Sequence, residues 1–155
     1  MINRTLMVAA AGVVLILAGG LYVNSQFTKN DAEERSAVYG VVTDFGSNLK
    51  KVALYSPHAK EQIANAYKDV VTPELLAAWE ESPPSAPGSI TLNPWPDHLA
   101  IGVVTKHKRD YEVEADIVLL TSSETTDESE AGTIPAHMIV SLKDGKWRIS
   151  RYQSP

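Results

Sequence analysis

The chain has 155 residues, a net charge of −5, 44% hydrophobic residues and no cysteine. That is enough for one ordinary domain. Disulfides, thiolate metal sites and a thiol nucleophile are excluded, and an acidic balance without a basic stripe argues against a nucleic-acid partner.

The N-terminus carries the strongest pattern. Behind Arg4, the stretch "LMVAAAGVVLILAGGLYV", Leu6 to Val23, contains no charge and no proline. As a helix it would be about 27 Å long, close to the hydrocarbon thickness of a bilayer. Tyr22 falls where an interfacial aromatic belongs. Two readings follow: an uncleaved anchor, or a secretory signal cut near Val23–Ser25, before Gln26. The run is longer than a usual signal core and its small-residue cleavage site is weak, which favours the anchor. "LAGG" has glycine where a lipid-bearing cysteine would stand, so it is not a lipoprotein signal. Arg4 assigns the start of the chain to the cytoplasm and the rest to the outside of the cytoplasmic membrane. The expected partition is an anchor over 1–23, a linker over 24–30 and an extracytoplasmic domain over 31–155. So short a linker reaches at most about 25 Å, which keeps the domain near the membrane.

"DAEERSAVYGVVTDFGSNLKKVAL" predicts a first helix, from Asp31 to Leu54. Asp31 and Glu34 have capping-box spacing. Val38, Val41, Val42, Phe45, Leu49 and Val52 recur at three and four residues and mark one apolar face. Gly40 and Gly46 weaken that helix and suit close packing on a sheet. "SPHAKEQIANAYKDV" predicts a second helix, with Ser56 as N-cap, Pro57 in the first turn, and Ile63, Ala66, Tyr67 and Val70 inward. "TPELLAAWEES" predicts a third, capped by Thr72, with Leu75, Leu76 and Trp79 on one face.

"PPSAPG", Pro83 to Gly88, ends the helical part. "HLAIGVVTKH" and "YEVEADIVL" then alternate as strands, with Leu99, Ile101 and Val103 in phase on the first. On the second, Tyr111, Val113, Ala115, Ile117 and Leu119 face inward and Glu112, Glu114 and Asp116 outward. Lys108 to Asp110 is the turn between them. "SSETTDESEAGT", with Glu124, Asp127, Glu128 and Glu130, predicts a solvated loop. "AHMIVSL" and "KWRISRY" flank Asp144–Gly145, a two-residue hairpin turn. Trp147 and Ile149 share the inner phase. Helices followed by strands give an α+β domain, with about three helices on a curved antiparallel sheet of about four strands.

"TPELLAAW", "SAPGSITLNPWPDHLAI", "YEVEADI" and "DGKWRI" together resemble a group of uncharacterised single-pass, membrane-anchored proteins of Gram-positive bacteria. The likeness runs from about Val38 to the C-terminus. Its motif positions here are Pro73, Glu74, Leu75, Leu76, Trp79, Ala86, Pro87, Gly88, Pro94, Trp95, Pro96 and Asp97. Through its element order the chain also resembles the nuclear-transport-factor-2-like (cystatin-like) superfamily, a cone-shaped α+β fold. That resemblance implies several possible roles: ketosteroid-isomerase-like enzymes, substrate-free scaffolds, and extracytoplasmic parts of conjugation machines. Fold alone does not choose among them.

The residues point away from an enzyme. Asp116, with Tyr67 or Tyr111, could be nominated as an isomerase-like base, but its strand phase sends it to solvent. His58, His98, His107 and His137 lack paired metal spacing, and there is no HExxH, no GxSxG elbow and no phosphate-binding glycine loop. No catalytic residue, metal or cofactor is assigned. His98 beside Asp97 suggests a local structural pair. Pro94 and Pro96 hold Trp95 extended. Its indole either plugs the cone against the helices, with Trp79 as a neighbour, or anchors a partner.

The expected function is a membrane-tethered, non-enzymatic binding or assembly domain for a protein or peptide near the membrane. The candidate surface is the Pro83–Asp97 connection, with Trp95, Pro94, Pro96, Asp97, Trp79 and Glu74. The alternative is a small-ligand receptor or isomerase/hydrolase-like enzyme using the interior of the cone. An open interior with converging polar groups would favour the alternative, and a filled one the binding domain.

Overall fold

A computed structural model of the protein describes residues 30–155 apart from 124 and 125. The expected anchor, Leu6–Val23, and almost all of the linker lie outside the described residues. Among those residues, no helix is long and apolar enough to cross a membrane. Ala37–Pro155 form a compact unit.

Helix α1 covers residues 30–48 and tightens into a single 3-10 turn, Leu49–Lys51. It is shorter than the sequence pattern suggests. Its apolar stripe nevertheless runs on through the turn: Val38, Val42, Phe45, Leu49 and Val52 are all buried. The helix ends where the Asn48 side-chain amide donates to the Ala66 carbonyl of the next helix, 2.7 Å away. Val52 then takes an extended backbone. Gly46 packs against Leu99 of the sheet, whereas Gly40 faces open space.

Helix α2, Ala59–Tyr67, begins three residues later than Ser56. The Ser56 hydroxyl accepts from the His58 amide at 3.1 Å, a local serine turn that starts the helix from outside. Helix α3, Pro73–Glu81, is capped as expected: Thr72 accepts from the Leu75 amide, and Pro73 occupies the first turn.

The sheet is an antiparallel meander in the order β1 (Trp95–His107), β2 (Asp110–Ser123), β3 (Thr126–Lys143), β4 (Lys146–Gln153). The α+β expectation holds, with two corrections. The acidic stretch 122–133 is not a loop, because its described part lengthens both strands of the β2–β3 hairpin. Residues 128–131 there are all exposed, on both faces of the strand, so over them the ladder shows no alternation to betray it. The second correction is Val103. A bulge between Ile101 and Val104 breaks the phase, leaving Val103 exposed and Val104 buried. The two tight turns fall where expected. Lys108 has φ 56°, and Asp144 and Gly145 have φ 51° and 74°, the signs a type I′ hairpin requires.

The helices cover the inner face of this sheet. Four rings fill the centre: Phe45, Tyr67, Trp79 and Tyr152. Their centroids are 5.1 Å (Phe45–Tyr67), 5.4 Å (Tyr67–Trp79) and 5.9 Å (Trp79–Tyr152) apart. Trp147 lies edge-on to Tyr111 at 5.3 Å and packs against the core. The α2–α3 connection runs along β4: Thr72 N donates to Ile149 O, and Ile149 N donates to Val70 O, each at 2.9 Å.

Candidate functional site

The Pro83–Asp97 connection leads from the last helix to the first strand, and its hydrogen bonds account for most of its motif residues. Pro83–Ser85 form one 3-10 turn. Ala86 is buried. The carbonyl of Pro87 accepts from the buried Tyr67 hydroxyl at 2.7 Å. Burial, with Tyr152 as a lesser cause, pushes that phenol far above its usual range, so it remains a proton donor. Gly88 lies so close to α1's continuation that a Cβ would sit 2.7 Å from the Val52 carbonyl oxygen. Ser89 then exchanges backbone bonds with Val52 and Leu54, at 2.7 and 3.0 Å. No side chain larger than glycine's fits that approach.

Beyond Ser89 the chain loops outward before returning to the sheet. Ile90 is 64% and Leu92 95% exposed. The loop between them and β1 is pinned. Thr91 Oγ1 donates to Pro94 O at 3.0 Å. The Asn93 amide donates to Ser122 O at 2.9 Å, and its carbonyl oxygen accepts from Thr121 Oγ1. The Asn93–Pro94 bond is cis.

Trp95 opens β1 opposite Leu120, in the extended conformation that its flanking prolines imply. It is half-buried, while Pro96 is buried. Trp95 makes no ring contact with Trp79, which lies 4% exposed in the aromatic core. The expectation that Trp79 helps form a surface is therefore corrected: the third helix turns it inward. Glu74 is exposed in the first turn of α3. Its own backbone amide first, and the Thr72 hydroxyl second, hold its carboxyl below the usual range, which is helix-start chemistry. Asp97 ties two elements together. Its carboxylate accepts from Lys50 Nζ on the 3-10 turn and pairs with His98 Nδ1, both at 2.9 Å. Lys50 first and His98 second lower its pKa. The local Asp97–His98 pair read from sequence is present, with a lysine added.

Sequence reasoning missed two features. One is the groove beside the loop, about 550 Å³, whose lining includes Leu54, Pro84, Pro87, Ile90, Ile117 and Tyr152. None of its lining side chains is a carboxylate, an imidazole or an amine. Ile90 and Leu92 alternate with polar residues in "GSITLN", a signal that was available. The other is a clasp on the outer sheet face, where Glu112 takes His137 Nε2 at 2.6 Å and His107 Nε2 at 2.9 Å. Those three residues sit on three strands, so only the register reveals them. Among the described residues, no group of three His, Cys, Asp or Glu side chains is arranged to hold a metal ion. Asp116 is exposed on the outer face, away from the buried Tyr67 and Tyr111.

Comparison with known proteins adds little. No protein-family model matches the chain, and no curated protein does. One solved structure, a protein titled Rd1NTF2_05 in a form with five substitutions, is similar at 11% identity and a TM-score of 0.36. The match covers 82% of this chain and 99% of that one.

Proposed function

We propose that the protein is a membrane-tethered, non-enzymatic binding or assembly domain at the outer face of the cytoplasmic membrane. It docks an apolar stretch of a protein or peptide partner on the connection that leads into β1. The observation that carries this reading is Leu92, 95% exposed on a loop whose neighbour Asn93 is bonded to β2 at both ends of its side chain. An apolar side chain held out on a fixed loop loses little entropy on binding. Ile90 and the groove beside it, whose lining side chains are uncharged, extend the surface, with Trp95 at its strand end. The aromatic centre argues in the same direction, since its buried Tyr67 hydroxyl is already bonded to Pro87 O.

A small-ligand receptor is the second reading, favoured by the groove's volume, which lies in the range of about 300–1,000 Å³ usual for such sites. The isomerase- or hydrolase-like version has no nominated base beside that groove.

Leu92→Asp tests the choice. Cross-linking from the Ile90–Leu92 loop in intact cells should capture a protein partner in the wild type, and the variant should lose it with an unchanged melting temperature. Saturable binding of a small apolar molecule in the groove, with no protein cross-link, would favour the receptor instead. The tether is tested separately. The chain should stay with membranes through a high-salt wash and be degraded by protease added to protoplasts. A shortened form in the medium would mean a cleaved signal.

A further inference from the structure

The outer face of the sheet carries a second groove, of about 520 Å³, that the reading above does not use. It lies across the strands. The β1 bulge supplies Gly102, which has no side chain, and Val103, which the bulge turns outward. Strand β2 supplies Glu114 and Asp116, and β3 supplies Pro135 and His137. Gln153 and the residues after it form the end wall, and the same residues line the far side of the inner-rim groove.

The charges in this groove are unbalanced. Glu112, one step along the same strand face, has both carboxylate oxygens taken by histidines. Glu114 lies directly across from His137, but that imidazole is turned to Glu112. Among the described residues, neither Glu114 nor Asp116 enters an ion pair. Alternate residues of one strand have α-carbons about 7 Å apart and side chains on one face, which lets their two carboxylates be reached from a single point. A guanidinium placed between them donates to both sides at about 2.8 Å per bond. The rest of the groove suits the stem of the same residue, because Val103 and Pro135 offer apolar surface to a propyl chain. A bare cation would leave that surface uncovered.

We propose that this groove is a docking site for an arginine side chain on an extended segment of a partner protein. Glu114 and Asp116 receive the guanidinium, and Val103 and Pro135 receive its stem. The site lies on the outer sheet face, so it stands or falls independently of the Leu92 surface.

The test titrates the full-length chain, labelled for amide NMR, with a blocked seven-residue peptide, Ala-Ala-Val-Arg-Val-Ala-Ala. A second peptide replaces arginine with citrulline, which keeps the shape and removes the charge. The arginine peptide should shift the amides of Gly102, Glu114, Asp116 and His137, with weaker binding in high salt. The citrulline peptide, and the paired variant E114Q/D116N, should each bind roughly tenfold more weakly or worse. The single variants E114Q and D116N keep the test open should the pair fail to fold. Leu92→Asp should leave the titration unchanged. Equal response to both peptides, binding that survives loss of both carboxylates, or shifts confined to other surfaces would each overturn the proposal. So would no binding at millimolar peptide.

Discussion

The hydroxyl of Tyr67 donates to the carbonyl oxygen of Pro87 across 2.7 Å, and both are buried. One bond thereby joins the end of α2 to the segment that carries the exposed loop. Tyr67→Phe removes the donor and leaves a buried carbonyl unpaired. The expected loss is about 1–3 kcal/mol in urea unfolding, with faster hydrogen exchange at the Ser89 amide. Unchanged exchange there would mean that the loop is held by its backbone bonds to Val52 and Leu54 alone.

Trp79 lies deeper than Trp95, and the two make a direct comparison. Trp79 touches three other rings in the core, so Trp79→Ala should cost about 3–5 kcal/mol, the range for large aromatic truncations. Trp95 is half-buried and belongs to no ring cluster, so Trp95→Ala should cost less than half as much. Equal losses in chemical denaturation would show that Trp95 is the core plug after all.

Gly145 has φ 74° with open space around its α-carbon, so substitution there strains only the backbone. Gly145→Val should lower stability by about 1–3 kcal/mol. Gly145→Asn should lose much less, since asparagine tolerates the left-handed region. Indistinguishable melting curves for the two variants would contradict the turn assignment.

Asp97 should make stability depend on acid. Its carboxyl titrates below the ordinary value in the folded protein, chiefly because Lys50 donates to it and secondarily because His98 does. The folded state thus favours the charged form more than the unfolded chain does. That contribution is present above the ordinary value of about 3.9 and is lost as pH falls on through the lower folded value. Asp97→Asn should flatten the fall in stability below about pH 4. A variant curve parallel to the wild type would assign the acid sensitivity elsewhere.

What the sequence revealed, and what it hid, follows from the range of each interaction. The stripe from Val38 to Val52 was legible because burial of one helix face imposes its own period. Asp144–Gly145 was legible because only a few residues accept positive φ in succession. Val103 was misplaced because a bulge adds a residue to one strand without leaving a mark in its composition. The hairpin extension through Glu128 and Glu130 was missed because a stretch exposed on both faces has no alternation to show. For the candidate site, the "APG" and "PWPD" motifs marked the right segment, but much of what they mark is structural attachment. Ala86 fills the core, Pro87 accepts a hydrogen bond, Gly88 clears Val52 and Asp97 holds Lys50. The exposed apolar residues lie between those motifs. The Glu112 clasp joins residues far apart in the chain, which no local spacing could have linked.

At Ile149 the main-chain amide and carbonyl that look outward from β4 are both taken, by Val70 and Thr72. A strand from another molecule cannot form its hydrogen bonds at this point without first displacing the α2–α3 connection. Strand addition along this edge is thereby interrupted at Ile149. Where two copies of the chain meet edge to edge, they find no free ladder at Ile149.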